Sequence, residues 1–498
     1  MSSWPNRLNI DRFLLRDRLD EGMGERVALR LDDSDVTYEE LDFAASRVAS
    51  SLLDSGIEPG DRVLILLPDG LEFAASLFGI FRIGAVAVML NPGMRAEAMG
   101  AIVSQSGAAG CILDSIYSDS YEKAVHLVES PPPVLMAPIE AGSADVVPTH
   151  QTSAGDPALW LFSGGTTGIP KTVVQSHRSY ANTTKRYGQG ALALGPDDIT
   201  IAVPKLYFGY ATGSNLFFPL SVGGSAVLFA GRSTPEALFD RIRRHQPTVL
   251  VNVPSAINQM LNSGAARTAD LSSLRLSTSA GEALPESLYH RWVSRFGVEI
   301  LDGLGTAEMW HIFITNSLGE VRPGTVGRVV PGFEVEARDD DGRPVPIGEV
   351  GRLWVRGESL ANGYWQDLEA SRQAFRDGWF VGGDLISFDE DGYVTHRGRA
   401  DDAFKVKGKW FRPQEVESVL LEHPAVEAAA VIVVEDEAGL SKPVAFVVAG
   451  VEEVELKAWA LGRLEPYKHP RRINVVPKLP KTHLGKVDRG ALRRIAMD

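Results

Sequence analysis

What most restricts this chain is a repeated alternation of short, almost wholly apolar runs with helical ones. Residues 61–67 (DRVLILL) show no inside–outside alternation, so a strand there has to be covered on both faces. A helical run follows at 71–81, then a second apolar run, AVAVML, at 85–90. The pattern returns with strands at 199–203 and 226–230 around a helical run at 212–220. A helix at 235–245, a strand at 248–253, a helix at 285–296 and a strand at 298–301 continue it. Apolar strands spaced by helices call for parallel sheets with helices on both sides. The expectation is α/β: two doubly wound sheets within one large domain.

The pattern changes near residue 320. Short strands at 324–330, 334–338, 350–356 and 393–396 are joined by turns such as DDDG (339–342) and DEDG (389–392), which suits a distorted antiparallel β-barrel. Beyond about residue 402, a helix at 413–421, strands at 426–434 and 443–449 and a helix at 452–461 fit a small α+β domain. With 498 residues, the chain exceeds what one core supports. A boundary at 399–402 therefore divides it into a large N-terminal domain, 1–400, and a small mobile C-terminal domain, 401–498. The proline-rich stretch 131–148 reads as an exposed loop.

Charge and cysteine usage narrow the function. A formal net charge of −14 disfavours nucleic acid and anionic lipid as partners. Cys111 is the one cysteine, so no intramolecular disulfide forms and a reducing, cytoplasmic setting fits. Residues 1–20 contain no uninterrupted apolar run of the signal-peptide kind, and Arg82 and Gly84 interrupt the most apolar stretch, 73–90. No membrane association is expected.

Five segments carry chemistry. The first is Ser163-Gly164-Gly165-Thr166-Thr167-Gly168, with Lys171 following, directly after the apolar run 158–162. Small residues let backbone N–H groups approach phosphate oxygens, hydroxyls add donors, and the lysine adds charge. It is not a Walker A loop, because Ile169 and Pro170 separate Gly168 from Lys171. The second, Ser279-Ala280-Gly281-Glu282, joins a strand to a helix. The third is Asp302-Gly303-Leu304-Gly305-Thr306-Ala307-Glu308. The fourth runs from Asp384 through Arg399 and Asp401 to Lys405, Lys407 and Gly408. The fifth, 480–489, places Lys486 after a glycine in a basic tail.

In this order and over most of the chain, the five segments resemble those of the adenylate-forming superfamily of acyl- and aryl-CoA synthetases, luciferases and peptide-synthetase adenylation domains. The resemblance implies ATP, Mg²⁺ and coenzyme A. Residues 163–168 and Lys171 would hold ATP phosphates; Ala280, Gly281, Glu282, Asp302, Gly303 and Leu304 would lie at the nucleotide. Thr306 and Glu308 would act at the α-phosphate, with Glu308 on Mg²⁺. Asp384 would take the ribose hydroxyls with Arg399 nearby, Asp401 would be the hinge, and Lys486 the catalytic lysine. Lys405, Lys407 and Gly408 would approach the pantetheine arm. Four positions depart from the family pattern: Gly164 where a hydroxyl is usual, Thr172 for glycine, Leu304 for tyrosine and Ala307 for threonine.

Residues 205–210 (KLYFGY) and 308–316 (EMWHIFITN) resemble the benzoate-CoA ligase branch. By that resemblance Gly209, Tyr210, Ala280, Gly305 and His311 line a flat pocket for an aryl acid. The implied reaction adenylates a benzoate-like acid, amino- and hydroxy-substituted rings included, and transfers the acyl group to coenzyme A. The competing readings are transfer to a carrier protein's phosphopantetheine arm and a non-catalytic nucleotide-binding homologue.

Overall fold

The computed structural model describes residues 4–139, 146–164, 170–400, 404–406, 409–411, 413–435, 441–481 and 487–497. A nine-stranded sheet runs in spatial order Arg328–Val329, Ile312–Thr315, Ile300–Gly305, Leu276–Ser279, Val249–Asn252, Ile199–Ala202, Ser225–Val227, Val27–Arg30 and Asp35–Thr37. Its six strands from Ile300–Gly305 to Val27–Arg30 are parallel, and antiparallel pairs finish both edges. A seven-stranded sheet follows the order Gly363–Tyr364, Lys171–Ser176, Pro157–Ser163, Val86–Met89, Arg62–Leu66, Gly110–Asp114 and Val134–Ala137.

Burial explains the apolar runs. Val63 and Ile65 enter the core shared by the two sheets, whereas Leu64 and Leu66 enter a second core on the outer face. Likewise Leu301 faces the shared core and Ile300 the outer one. A strand buried on both sides has no polar position to alternate with. Local signals start the covering helices: Thr37 closes a capping box with Glu40 ahead of Tyr38–Asp54, and Thr234 caps Pro235–His245, which ends on Arg243, Arg244 and His245.

The third sheet is antiparallel. Glu334–Arg338, Gly351–Arg356 and Trp379–Phe388 pair in turn, and Trp379–Phe388 also receives Phe375–Arg376 and Val394–Arg399. Beyond it lie the hairpin Phe404–Val406/Lys409–Phe411 and a smaller sheet of Val426–Glu435, Ser441–Ala449 and Arg472–Val475. Helices Pro413–Leu421 and Glu453–Leu461 cover that sheet through Val416, Leu420, Leu456 and Ala460. No helix among the described residues is long and apolar enough to cross a membrane.

Three local readings change. The strand expected at 298–301 is Ile300–Gly305, because pairing on both edges carries it through the glycines. Within 131–148, Val134–Ala137 is an edge strand paired on one side only, a position that tolerates flanking prolines. The strand expected at 324–330 shrinks to Arg328–Val329. There Gly327 has φ +88°, and a Cβ would lie 2.0 Å from the Thr315 backbone, so the chain bends through a place only glycine fits.

Arg82, which broke the apolar run in the sequence, is fully buried at the end of helix Leu71–Arg82. Its guanidinium donates to Asp11 Oδ1 at 2.9 Å, Asp11 Oδ2 at 3.2 Å and the Asp42 carbonyl at 3.1 Å, and it pairs with the Asp42 carboxylate. Thr149 and Arg16 donate to the same two carboxylates at 2.6 Å each. The cluster ties the N-terminal segment to helices Tyr38–Asp54 and Leu71–Arg82. Replacing Arg82 with Met leaves buried Asp11 without its arginine and Asp42 with Arg16 alone, for which about 3–5 kcal/mol of lost stability is expected. Denaturant unfolding followed by tryptophan fluorescence checks this, and Asp11→Asn added to Arg82→Met should recover part of the loss.

Candidate functional site

The site is assembled on the strand Ile300–Gly305. It lies parallel to Leu276–Ser279, with Thr278 opposite Leu301 and Ser279 opposite Asp302. Both strands end in the same direction, and the segments 280–285 and 306–309 continue beyond those ends. Open α/β sheets bind ligands in this place, where diverging loops leave a crevice. On its other edge the strand pairs antiparallel with Ile312–Thr315. That approach is close: a Cβ on Gly305 would stand 2.5 Å from the His311 carbonyl oxygen, so any side chain there would push the two strands apart.

Asp302 is buried, and burial pushes its carboxyl up to about 8, against the lowering influence of the Ser279 hydroxyl and the Gly303 N–H. Its Oδ1 has no hydrogen-bond partner among the described residues. Gly303 and Leu304 follow on the same strand. Thr306 caps the short 3₁₀ turn Ala307–Met309, its Oγ1 accepting from Met309 N–H at 3.3 Å. Gln175 Nε2 donates to the Ala307 carbonyl at 2.6 Å, and Ala361 N–H donates to the Glu308 carbonyl at 2.9 Å.

This held turn presents Glu308, buried at 6 % exposure, and the Tyr364 hydroxyl donates to its Oε1 at 2.8 Å. Ser163 and Lys171 are opposite each other on the antiparallel strands Pro157–Ser163 and Lys171–Ser176. Gly164 is exposed at the start of the glycine-threonine segment, while Gly165, Thr166, Thr167 and Gly168 lie outside the described residues. Lys171 Nζ sits 4.8 Å from the centroid of the Tyr364 ring. The described residues contain no group of three acidic, histidine or cysteine side chains able to cage a metal. Glu308 nonetheless suits Mg²⁺, which binds one or two carboxylates with the rest from phosphate and water.

A second group of residues gathers around His311. Its Nε2 contacts the Tyr210 carbonyl and Ser214 Oγ, both at 3.1 Å, while buried Nδ1 has no partner among the described residues. Burial lowers the imidazole to about 3, so the ring is neutral at working pH. Tyr187 and Tyr210 rings lie 5.3 Å from it and Phe218 4.8 Å. Tyr210, in the turn Gly209–Thr212, shares a 2.6 Å hydrogen bond with Thr278 Oγ1. Ala280 is buried beyond the end of the Thr278 strand. The rings are tilted rather than coplanar, and together they form a neutral, largely aromatic cluster with few polar atoms.

On the antiparallel sheet, Asp384 and Arg399 are paired across strands, with Arg399 Nη1 3.8 Å from Asp384 Oδ1. His396 Nε2 lies 3.1 Å from that oxygen. Glu282 is exposed, and its carboxylate accepts from Ser255 N–H at 3.1 Å at the start of helix Pro254–Asn262. Lys405 falls on the strand Phe404–Val406. Asp401, Lys407, Gly408 and Lys486 lie outside the described residues. Sequence reasoning missed Tyr364, Thr278, Ser214, Tyr187 and His396, since no spacing rule connects Tyr364 to Glu308 or Tyr187 to His311.

Residues 16–365 match the AMP-binding enzyme family and residues 415–486 the AMP-binding enzyme C-terminal domain. The benzoate–CoA ligase of Thauera aromatica is 36% identical, over 98% of this chain and 96% of that protein. Among solved structures, an anthranilate CoA ligase in complex with anthranoyl-AMP superposes with a TM-score of 0.94 at 34% identity, covering 100% of this chain and 99% of that one. A benzoate CoA ligase from Burkholderia xenovorans LB400 gives a TM-score of 0.88 at 36% identity, covering 97% and 99%. These matches over nearly the whole chain show that it belongs to the AMP-binding enzyme family, in the adenylate-forming superfamily and its benzoate-CoA ligase-like branch.

Proposed function

We propose that this enzyme activates a benzoate-like carboxylic acid with ATP, giving aryl-AMP and pyrophosphate, and then transfers the aryl group to coenzyme A with release of AMP. The observation that carries the reading is the neutral aromatic cluster around His311 and Tyr210, beside the strand that holds Asp302 and leads into the turn of Glu308. The relatives named above activate benzoate and anthranilate, which supports a ring-bearing acid.

In the first half-reaction the acid's carboxylate attacks the α-phosphorus and pyrophosphate leaves, so the protein's task is positioning and charge stabilisation. Residues 163–168 and Lys171 cradle the β- and γ-phosphates. Gly209, Tyr210, Ala280, Gly305 and His311 hold the ring. Ala280, Gly281, Asp302, Gly303 and Leu304 flank the adenine, Glu282 supports that segment through Ser255, and Asp384 takes the ribose hydroxyls beside Arg399. Mg²⁺, held by Glu308, would neutralise phosphate charge. Thr306 Oγ1 accepts from Met309 N–H, which leaves its O–H free to donate to the α-phosphate, and Lys486 bridges the acid's carboxylate and that phosphate.

In the second half-reaction a thiol attacks the activated carbonyl and AMP leaves. The division at 1–400 and 401–498 places Asp401 at the hinge, and rotation there withdraws Lys486 and brings Lys405, Lys407 and Gly408 to the pantetheine arm. Such alternation keeps the adenylate from water until the thiol arrives. A carrier-protein acceptor is the alternative to free coenzyme A. Cytoplasmic residence fits the single cysteine, which burial keeps as an unreactive thiol with its pKa raised to about 12.

The deciding assay incubates the enzyme with ATP, Mg²⁺, coenzyme A and a panel of benzoates, aminobenzoates, hydroxybenzoates and fatty acids, with AMP and thioester measured by mass spectrometry. Aryl thioester with little aliphatic product is expected; AMP without thioester would transfer the acceptor role to a carrier protein. Lys486→Ala should abolish adenylation yet still convert supplied aryl-AMP to the thioester, and equal loss of both would remove Lys486 from its role.

Asp302 gives a pH test. Its carboxyl titrates near 8 when folded, against about 4 in the unfolded chain, so between these values the folded state keeps a proton the unfolded chain has lost. Its contribution to stability is therefore fully present below about pH 4 and is lost as pH rises towards 8. Asp302→Asn removes that slope: its melting temperature relative to the parent should be more favourable at pH 8 than at pH 5. An equal difference at both values would mean that the carboxyl is not the titrating group.

A further inference from the structure

One residue touches both charged groups of the phosphate end of the site. Tyr364, at 9 % exposure, donates its hydroxyl to Glu308 Oε1 at 2.8 Å and offers its ring to Lys171 Nζ at 4.8 Å. The register explains the arrangement. Gly363–Tyr364 pairs antiparallel with Lys171–Ser176, placing Tyr364 directly opposite Val173. Side chains two apart share a face of a strand, so Lys171 is the diagonal neighbour of Tyr364, within reach of a long side chain. Gln175, on that same face, donates to the carbonyl of Ala307 and fixes the turn that presents Glu308.

This juxtaposition solves an electrostatic difficulty. A lysine meant for phosphate and a carboxylate meant for a cation attract each other, and with Lys171 exposed and Glu308 buried solvent screens that attraction only in part. Were they to meet, each would spend its charge on the other. The aromatic face draws the ammonium through its quadrupole without neutralising it, and the hydroxyl fills one carboxylate oxygen without removing its charge. Among the described residues no ion pair links Lys171 to Glu308, and the tyrosine contacts both.

We propose that Tyr364 is a positioning residue of the adenylation half-reaction, its ring and hydroxyl keeping Lys171 and Glu308 apart so that the lysine meets ATP phosphates and the carboxylate a divalent cation. The inference rests on the reading of this chain as an adenylate-forming ligase. It differs from simple core packing, which the 5.3 Å contact of the Tyr364 ring with Phe375 would by itself suggest.

Tyr364→Phe keeps the ring against Lys171 and Phe375 and removes only the hydroxyl. The first readout is ATP binding by calorimetry at a series of MgCl2 concentrations, without acid or coenzyme A. Losing a hydrogen bond to a charged group should raise the MgCl2 needed for half-maximal tightening roughly tenfold, with ATP affinity in excess EDTA unchanged. Tyr364→Leu, which also loses the ring, should weaken ATP in EDTA as well. In the Glu308→Gln background Tyr364→Phe should have no further effect on the MgCl2 curve, because the tyrosine acts through that carboxylate. In turnover, the acid's KM should hold while adenylation slows, and conversion of supplied aryl-AMP should fall far less. A parental MgCl2 curve in Tyr364→Phe, or equal losses in both half-reactions with a lowered melting temperature, would overturn the proposal in favour of packing. Failure of the unmodified enzyme to form any aryl-AMP would instead refute the functional reading, and the calorimetric series would still decide the role of Tyr364.

Discussion

Pairing of Ile300–Gly305 with a parallel neighbour on one edge and an antiparallel one on the other is the constraint on which the site depends. Along one edge it sets Asp302 beside Ser279; along the other it brings the backbone at Gly305 against that of His311. The strand then passes through the Thr306 cap into the turn that carries Glu308. Asp302, Gly305 and the turn of Glu308 are thereby spaced by backbone hydrogen bonds, which move little. Catalysis by positioning requires such rigidity, since small displacements of reacting groups are costly.

Around this strand, charge is managed by burial and by intermediate groups. Asp302 is kept protonated near neutrality by its surroundings, and His311 is kept uncharged by the rings about it. The ring cluster around His311 is thus neutral. Tyr364 is in contact with two opposite charges, Lys171 and Glu308. Away from the site, the buried Arg82 cluster joins the N-terminal segment to the helices of the shared core, where an arginine without its two carboxylates would be untenable.

Much of the fold was legible because strands buried on both faces are written as unbroken apolar runs. The runs at 61–67, 85–90, 199–203 and 248–253 all became strands of the parallel sheets, and the helix at 235–245 kept its bounds because threonine, proline and a basic last turn mark both ends. Val27–Arg30 escaped notice, since four residues among charged neighbours carry little periodic signal and only pairing with Ser225–Val227 makes them a strand. Val134–Ala137 escaped for a similar reason: an edge strand between prolines looks like a loop until a neighbour pairs with it.

For the site, local sequence determined which segments hold chemistry, because glycines, hydroxyls and carboxylates in short fixed order are needed wherever backbone must approach phosphate. Asp302 and Glu308 stand in such a segment, whereas Tyr210 and His311 were chosen by resemblance to the benzoate-CoA ligase branch. What tertiary structure alone decided is which side chains meet: Tyr364 with Glu308 across 56 positions, Tyr210 with Thr278 across 68, and Ser214 with His311 across 97. No local pattern encodes such pairs, since sheet register and the packing of one strand against another's face, rather than distance along the chain, determine what a side chain touches.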